Sequence, residues 1–517
     1  MFYNYLKKTF GHDLHNILWL IALYLIQGIP IGLSFGTIPF LLHKHATYTQ
    51  IGIFYFSTYP YSLKLLWSPL VDSYYWKSFG RRKSWIVPIQ IIAGLFFIAI
   101  SFKIEYLVEH VQSFILPVTA FFFILIFLMA TQDIAVDAWA LTILSKSNLH
   151  YASICQTIGL NTGYFLSYTI FLALNSPSFA NRYFRSTPSE EGMITLSGYV
   201  FFWGCVFVMF SIYLALFKGE ENNHIIMKEK VDRVEENVYN YSSSSSPITT
   251  PPNELNHEID LEPIQVYKQL WKIIKMPHIK TLALMFLMSK VVFQANESVL
   301  NLKLLEKGLK REDIAFFSII QFPCVILFSI LSSNWFKHKP LTTWTYSYIV
   351  AVLFVFLNML GVVNFPQNQE IGYYFLVLLV CSLCFAFTYT LMSSSQSSFF
   401  LKISDKSIGG TYVTLLNTIA NFAGTYPKFF IFILIDFWTT SKCIVNNNNS
   451  NSSNSTTNFS SPITFDNISK ELCHEKGGEY IILQDGYYIV SVLSILYGVF
   501  MFFVLKKYLI PIERIKL

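Results

Sequence analysis

Two carboxylates share one face of a segment that is otherwise apolar. In TQDIAVDAWALTIL, residues 131–144, Asp133 and Asp137 stand four residues apart, so they project from the same side of a helix. A charged side chain near the centre of a bilayer costs about 2.5–3.5 kcal/mol on insertion scales. Two interpretations stay open. The carboxylates pair with Arg81 or Arg82 and hold helix ends together, or one of them exchanges a proton.

A polar stripe runs through a later apolar segment. Lys290, Gln294, Glu297 and Asn301 are spaced i, i+4, i+7 and i+11, which places them on one face of a helix. Lipid cannot solvate such a face, so it must contact protein or water. Either Lys290 and Glu297 neutralise each other, or the stripe borders a cavity that binds a polar solute and attracts an anion through Lys290.

Other interior polar residues are candidates for the same cavity. Lys64 lies too deep in YSLKLLWSPLVD for its ammonium group to reach the membrane surface. Gln27 stands beside Gly28 and Pro30, where a broken helix would expose carbonyl groups. Asn417 and Asn421 share a helix face, whereas Gly159 and Gly163 indicate a close contact between helices.

The elements that must position these residues are membrane-spanning helices. The chain has 517 residues, 53% of them hydrophobic and 13% charged, whereas a soluble domain carries about 25% charged residues. Backbone amides in lipid must be paired within their own segment, so apolar spans are expected to be helices. Twelve such spans are predicted near residues 16–42, 51–72, 84–103, 114–144, 151–174, 194–217, 279–305, 313–333, 341–363, 371–398, 409–438 and 484–507.

The distribution of basic residues predicts the topology. Lys and Arg are in excess in the loops that would be cytosolic if the N-terminus is cytosolic, so both termini are predicted to lie there. This bias accounts for the pI of 8.7 without nucleic acid as a partner. A polar segment with a serine run, residues 218–275, is predicted to be a disordered cytosolic linker. It separates an N-terminal six-helix bundle, 1–217, from a C-terminal one, 276–517, a layout typical of transporters built from two repeats.

The loop 439–483 of the C-terminal bundle is rich in Asn and Ser and falls on the non-cytosolic side. Cys443 and Cys473 flank this tract, and a disulfide between them is possible. The loop also carries five acceptor triplets for glycosylation, at Asn448, Asn451, Asn454, Asn458 and Asn467.

The sequence predicts that the protein is not an enzyme. All eleven His residues fall in loops or at the edges of the spans, whereas a membrane-embedded acyltransferase or metalloprotease needs an interior His. The chain lacks a Gly-Lys dipeptide and therefore a P-loop. We expect no catalytic residues, no metal site and no cofactor.

The loop DSYYWKSFGRRKSW resembles the signature between the second and third helices of the major facilitator superfamily. Asp72 matches the acid that ends one helix, and Gly80, Arg81, Arg82 and Lys83 match the start of the next. Seven residues separate Asp72 from Gly80, where the signature has two. The resemblance assigns Asp72, Arg81 and Arg82 to gating.

Several longer blocks resemble the acetyl-coenzyme A transporter family of that superfamily. They are SLKLLWSPLVD (62–72), FGRRKSW (79–85), ATQDIAVDAWALTIL (130–144), IIKMP (273–277), LKLLEKG (302–308), GGTYVTLLNT (409–418) and DGYY (485–488). The resemblance implies a multi-pass protein of the endoplasmic reticulum membrane. It would import acetyl-CoA from the cytosol, possibly in exchange for CoA, as a substrate rather than a cofactor.

A site for this cargo needs positive charges. Acetyl-CoA carries about four negative charges on its phosphates, so Lys64, Lys290 and Lys303 become candidates to bind them, and Asn417 a candidate for the adenine or pantetheine amides. Asp133 and Asp137 are assigned to a gate or a proton-linked role. The alternatives are a proton-coupled facilitator for another solute, such as a peptide-sugar fragment, and a non-transporting scaffold. The oligomeric state stays open, a homodimer included.

Overall fold

The computed structural model describes residues 11–76, 78–145, 148, 151–219, 263–336, 339–366, 371–403, 409–445, 463–466, 473 and 476–513. The described chain is mainly helical. The helices before residue 220 are α1 (Leu14–Gly32), α2 (Ile38–Leu42), α3 (Tyr48–Phe54), α4 (Tyr59–Leu63), α5 (Ser68–Ser73), α6 (Lys83–Ser101), α7 (Ile104–Glu109), α8 (Val111–Ile143), α9 (Tyr151–Phe165), α10 (Phe171–Asn175), α11 (Pro177–Tyr183) and α12 (Leu196–Phe217).

The helices after residue 262 are α13 (Pro263–Ile274), α14 (Pro277–Ser289), α15 (Gln294–Ser298), α16 (Leu300–Glu306), α17 (Arg311–Phe336), α18 (Pro340–Val363), α19 (Ile371–Ile403), α20 (Gly409–Ala423), α21 (Pro427–Trp438) and α22 (Gly486–Ile512). We call the part before residue 220 the first half and the part after residue 262 the second half. The end where α1 begins and α22 ends is the terminal end, and the opposite one is the distal end.

Nine helical stretches in the described ranges are long and apolar enough to cross a membrane: Gly11–Leu42, Lys83–Ser101, Val111–Ile143, Tyr151–Asn175, Leu196–Phe217, Pro340–Val363, Gly372–Phe400, Val413–Trp438 and Gly486–Ile512. The protein is thus a multi-pass membrane protein. The other three predicted spans coincide with α3–α5, α14–α16 and α17. The count of twelve and the cytosolic location of the termini stay predictions.

The second predicted span is broken where its prolines lie. Pro60 and Pro69 lack the amide hydrogen that an uninterrupted helix needs, and 3-10 turns at Tyr55–Thr58 and Lys64–Leu66 separate α3, α4 and α5. Thr47 begins this run with a capping box to Gln50. The break at Lys64–Leu66 places the Lys64 side chain inside the protein.

Within the first half, α9 packs along α1, and α6 packs against α12. The contact between α1 and α9 depends on glycine, because a Cβ atom on Gly163 would lie 2.2 Å from the carbonyl oxygen of Leu25. Gly159 is similarly tight, with Tyr24 Cβ at 2.4 Å from its added Cβ. The close contact predicted for Gly159 and Gly163 is confirmed.

The second half has its own packing, and four pairs of the described helices join the two halves. Helix α18 packs against α19 and α22, whereas α14 packs against α20. The four pairs between the halves are α3 with α21, α4 with α20, α5 with α13, and α10 with α17.

Part of the predicted disordered linker is helical. Residues 220–262 lie outside the described residues, but 263–274 form α13. The helix is amphipathic: Leu270 and Ile273 are buried while Lys268 and Lys272 are exposed. This end of the segment 218–275 was predicted to be disordered. It is helical because its apolar face is buried against neighbouring helices.

A small sheet covers part of the loop between α21 and α22. Strands β1 (Thr440–Val445), β2 (Ile463–Asp466) and β3 (Glu479–Gln484) are antiparallel in the order β2-β1-β3. Cys443 and Cys473 form a disulfide with an S–S distance of 2.01 Å, which is the pairing that the sequence allowed. The five glycosylation acceptors lie outside the described residues.

Candidate functional site

A buried charge cluster occupies the first half and contains Lys64, Asp133 and Asp137. Lys64 Nζ donates to a carboxylate oxygen of Asp133, and it lies 3.5 Å from Asp137 Oδ2. The Asp133 side chain is fully buried, whereas 39% of the Asp137 side chain is exposed within the span. One cation therefore faces two carboxylates, and one of these carboxylates is partly exposed.

Neutral donors complete this first-half cluster. Gln27 Nε2 donates to Asp133 Oδ1 at 2.6 Å. Tyr24 Oη and Gln156 Nε2 donate to Asp137 Oδ1 at 2.7 and 2.8 Å. Gln27 thus belongs to this charge cluster. Its predicted contact with the solute stays a prediction. The sequence analysis missed Tyr24 and Gln156, since nothing in their spacing relates them to Asp137.

The structure corrects the cation assigned to Asp133 and Asp137. That cation is Lys64, whereas Arg82 Nη1 donates to Asp72 Oδ1 at 2.6 Å and Arg81 Nη2 donates to the Asp72 carbonyl at 2.8 Å. In the loop that resembles the superfamily signature, the two arginines thus bind Asp72 of the same loop. The longer spacing between Asp72 and Gly80 still allows this contact because Gly80 adopts φ 106°, a conformation that favours glycine.

The predicted stripe of the second half is divided by a bend. A 3-10 turn, Lys290–Phe293, precedes α15, so the four residues do not follow one regular helix. Lys290 Nζ donates to the Ala420 carbonyl at 3.0 Å, and Gln294 Nε2 lies 3.3 Å from Glu297 Oε2. Gln294 is buried, whereas Glu297 is exposed to the interior space described next.

A cavity of about 420 Å³ lies between the halves. The first half contributes residues of α2 and α9, Tyr55 of the 3-10 turn after α3, and the π-helical turns that join α1 to α2 and α9 to α10. The second half contributes residues of α15–α19. Glu297 and Asn301, two of the four predicted stripe residues, line it. Its polar lining also includes Asn161, Tyr164, Tyr168, Asn296, Gln321 and Asn358.

The amide side chains of this lining are held in place. Asn358 Nδ2 donates to Asn296 Oδ1 at 3.0 Å, and both residues are buried. Phe165 of the first half and Phe322 of the second stack at the cavity wall with ring centroids 5.6 Å apart. Amide groups and flat rings on one wall suit a solute that carries both hydrogen-bonding groups and a planar ring. Asn296 and Asn358 were detectable as polar residues inside apolar spans.

Lys428 brings a positive charge close to this cavity. Its Nζ lies 5.0 Å from the ring centroid of Tyr55 and 6.0 Å from that of Phe35, and both rings line the cavity. Glu297 interacts electrostatically with both Lys428 and Lys290. Two lysines thus face one carboxylate here, which is the reverse of the balance in the first-half cluster.

A second charge cluster, the distal cluster, joins the halves at the distal end. Lys303 is 2% exposed, and its Nζ donates to Glu306 Oε2 and Asp485 Oδ2, each at 2.8 Å. Tyr48 Oη and His43 Nε2 of the first half lie 2.9 and 3.1 Å from Glu306 Oε1. Lys303, predicted to bind phosphate, is already matched by two carboxylates.

Further contacts between the halves run along α3–α5, α20 and α21. Thr49 Oγ1 donates to Asp436 Oδ2 at 2.7 Å near the distal end, and Ser62 Oγ and Thr425 Oγ1 lie 2.7 Å apart nearer the middle. Asn417 is half-buried and Asn421 is exposed. Neither belongs to the residues that line the cavity.

Comparison with known proteins identifies the family. A family model described as acetyl-coenzyme A transporter 1 matches residues 16–341 and 336–516. An uncharacterized membrane protein of Saccharomyces cerevisiae is 37% identical over 98% of this chain and 96% of its own length. An uncharacterized protein of Schizosaccharomyces pombe is 34% identical over 93% of this chain and 83% of its own length.

A solved structure shows the fold. The nucleoside transporter NupG matches with a TM-score of 0.56 over 95% of this chain and 98% of that one, at 10% identity. A likeness at this identity speaks for the fold alone. The fold is that of major facilitator transporters, and the chain is a membrane transporter that belongs to the acetyl-coenzyme A transporter 1 family.

Proposed function

We propose that this protein carries acetyl-CoA from the cytosol into the lumen of the endoplasmic reticulum, in exchange for CoA. In this proposal twelve spans form two six-helix bundles with cytosolic termini, and the bundles expose the cavity to each side in turn. The observation that carries the proposal is the polar, aromatic cavity between the halves, in a chain that matches the family along nearly its whole length.

The charge balance of the interior lysines supports a position for the phosphates. The cargo brings about four negative charges, and a site in low dielectric must offset them with cations. Lys64 and Lys303 each contact two carboxylates. Lys290 and Lys428 share one, Glu297. We therefore assign the phosphates to Lys290 and Lys428 in place of Lys64 and Lys303.

The amide and aromatic side chains of the cavity would bind the adenine and pantetheine parts of the cargo. Asn301 and Asn161 offer donors and acceptors for an adenine edge or for pantetheine amides, and Phe165 and Phe322 offer ring faces. The cargo would then span the cavity, with its phosphates toward Lys290 and Lys428. This placement extends the predicted role of the stripe to residues of both halves.

The distal cluster serves as a gate in this proposal. Tyr48 and His43 contact Glu306 across the halves, and Thr49 contacts Asp436 beside them. Alternating access requires these bonds to break whenever the cavity opens to the distal side. The distal side is the lumen if the termini are cytosolic.

Counterflow in liposomes tests the function. The purified protein is reconstituted into liposomes that contain CoA or buffer, and entry of labelled acetyl-CoA is followed with and without a pH gradient. We expect rapid, saturable entry into CoA-loaded liposomes, slow entry into empty ones, and inhibition by external CoA. Entry that follows the pH gradient and ignores CoA on both sides would favour the proton-coupled facilitator for another solute.

A further inference from the structure

A second groove opens on the outer surface of the second half. Its volume is about 260 Å³, and it lies between the start of α14 and α20, beside the terminal end. Ala283, Leu287 and Ile419 are among its apolar walls, and Lys280 is its charged residue. Leu284, which also lines it, is 50% exposed on a helix of the predicted seventh span. An exposed apolar side chain at this position contacts acyl chains, so the groove faces lipid.

The surface at the mouth of the groove is positively charged. Residues 263–296 contain five lysines and neither Asp nor Glu. Four of these lysines, on α13 and α14 and between them, are exposed: Lys268, Lys272, Lys275 and Lys280. Clusters of exposed lysines beside a span attract anionic headgroups.

The position of α13 brings these lysines to the depth of the headgroups. Lys275 and Met276 separate α13 from α14, so α13 lies where the span begins. Trp271 on α13 is 61% exposed, and Lys275 Nζ lies 5.1 Å from the centroid of its ring. Tryptophan with an exposed ring is typical of the membrane interface.

We propose that this surface binds one anionic phospholipid. An acyl chain fills the groove beside Ala283 and Leu287, and the headgroup phosphate contacts Lys280 and Lys275. The apolar groove requires an occupant with a hydrocarbon chain, so a soluble phosphate compound does not satisfy it. The lysines require a net negative headgroup, so phosphatidylcholine, which is neutral, leaves their charge unmatched.

Native mass spectrometry tests the proposal. The full-length protein in detergent is mixed with phosphatidylinositol and phosphatidylcholine that carry the same acyl chains, and the bound lipids are counted. We expect one tightly retained phosphatidylinositol in the wild type. The double variant Lys275→Gln/Lys280→Gln should bind it on the order of tenfold more weakly. Equal retention of both lipids by the wild type would overturn the proposal.

Two further variants separate charge from shape. The double variant Lys506→Gln/Lys507→Gln removes the same charge from exposed positions near the end of α22 and should retain the lipid. Ala283→Phe narrows the groove and should lose the lipid although every lysine remains. Retention by Ala283→Phe, or displacement of the lipid by soluble glycerophosphoinositol, would show that the headgroup alone is bound and contradict the groove.

Discussion

At the scale of single residues, charge balance separates the interior lysines. Lys64 lies between Asp133 and Asp137 and is 20% exposed, whereas Lys290 donates to a backbone carbonyl and interacts with Glu297. A lysine that already faces two carboxylates stabilises the fold. Its positive charge is neutralised, so it attracts an anionic ligand only weakly. A lysine that shares a single carboxylate can attract an anion.

Removal of Lys64 should destabilise the protein through the acids that it leaves behind. Breaking a buried ion pair from one side costs about 3–5 kcal/mol, so Lys64→Met should lower thermal stability in detergent. Asp133→Asn added to Lys64→Met should restore much of the loss, because it removes the fully buried one of the two carboxylates that Lys64 leaves behind. Strictly additive losses in the double variant would contradict the pairing.

Removal of Lys290 or Lys428 should act on the cargo. A hydrogen bond to a charged group contributes about 1.5–3 kcal/mol, so Lys290→Gln and Lys428→Gln should each raise the half-saturation for acetyl-CoA at least about tenfold. Lys310→Gln, an exposed lysine that follows α16, is the matched control. Unchanged half-saturation in both variants at equal protein amounts would remove these lysines from the site.

The sequence predicted which interior residues are polar but not how they pair. Asp133 and Asp137 share a face by periodicity alone, and Glu297 and Asn301 were correctly placed beside a cavity. The partner of Asp133 is 69 residues away in the chain, so it depends on which helices are neighbours. Local spacing contains no such information.

At the scale of elements, the contact between α1 and α9 depends on small residues. A Cβ atom on Gly163 would meet backbone atoms of Leu25 and Gly28, which cannot rotate away. We expect Gly163→Leu to cost about 3 kcal/mol and to lower the yield of monodisperse protein in size-exclusion chromatography. Gly372→Leu is the control because a Cβ atom there meets no other atom within 4 Å. Normal behaviour of Gly163→Leu would show that the helices can separate.

Most helices could be predicted because apolar length and proline positions are local properties. The breaks around Lys64–Leu66 and Lys290–Phe293 were harder to place, since 3-10 turns depend on how neighbouring helices pack. Helix α13 was missed for a different reason. Its twelve residues were grouped with the polar linker that precedes them. The apolar face of α13 packs against α5 and α20, which are distant in the sequence.

At the scale of the whole molecule, the bonds between the halves determine which side of the cavity opens. Thr49 Oγ1 donates to Asp436 at 2.7 Å, and Tyr48 donates to Glu306 at 2.9 Å. The double variant Thr49→Ala/Tyr48→Phe removes both donors and should increase opening at the distal end.

Cysteine labelling measures this opening. Ser298→Cys places a thiol on the cavity wall, and its reaction with a charged maleimide applied from the distal side is compared with and without the gate variant. The parent protein with its native cysteines provides the background. We expect labelling several-fold faster in the gate variant, whereas equal rates would show that these bonds do not hold the distal end closed.

The proposed function requires acetyl-CoA to pass through the cavity between the halves. The most direct measurement is the initial rate of labelled acetyl-CoA entry into CoA-loaded liposomes for the wild type and for Ser298→Trp, which fills the cavity. We predict saturable entry through the wild type and almost none through Ser298→Trp, although both proteins are folded and reconstituted equally. Equal rates for the two proteins, or entry through the wild type no faster than into protein-free liposomes, would rule out transport of acetyl-CoA through this cavity.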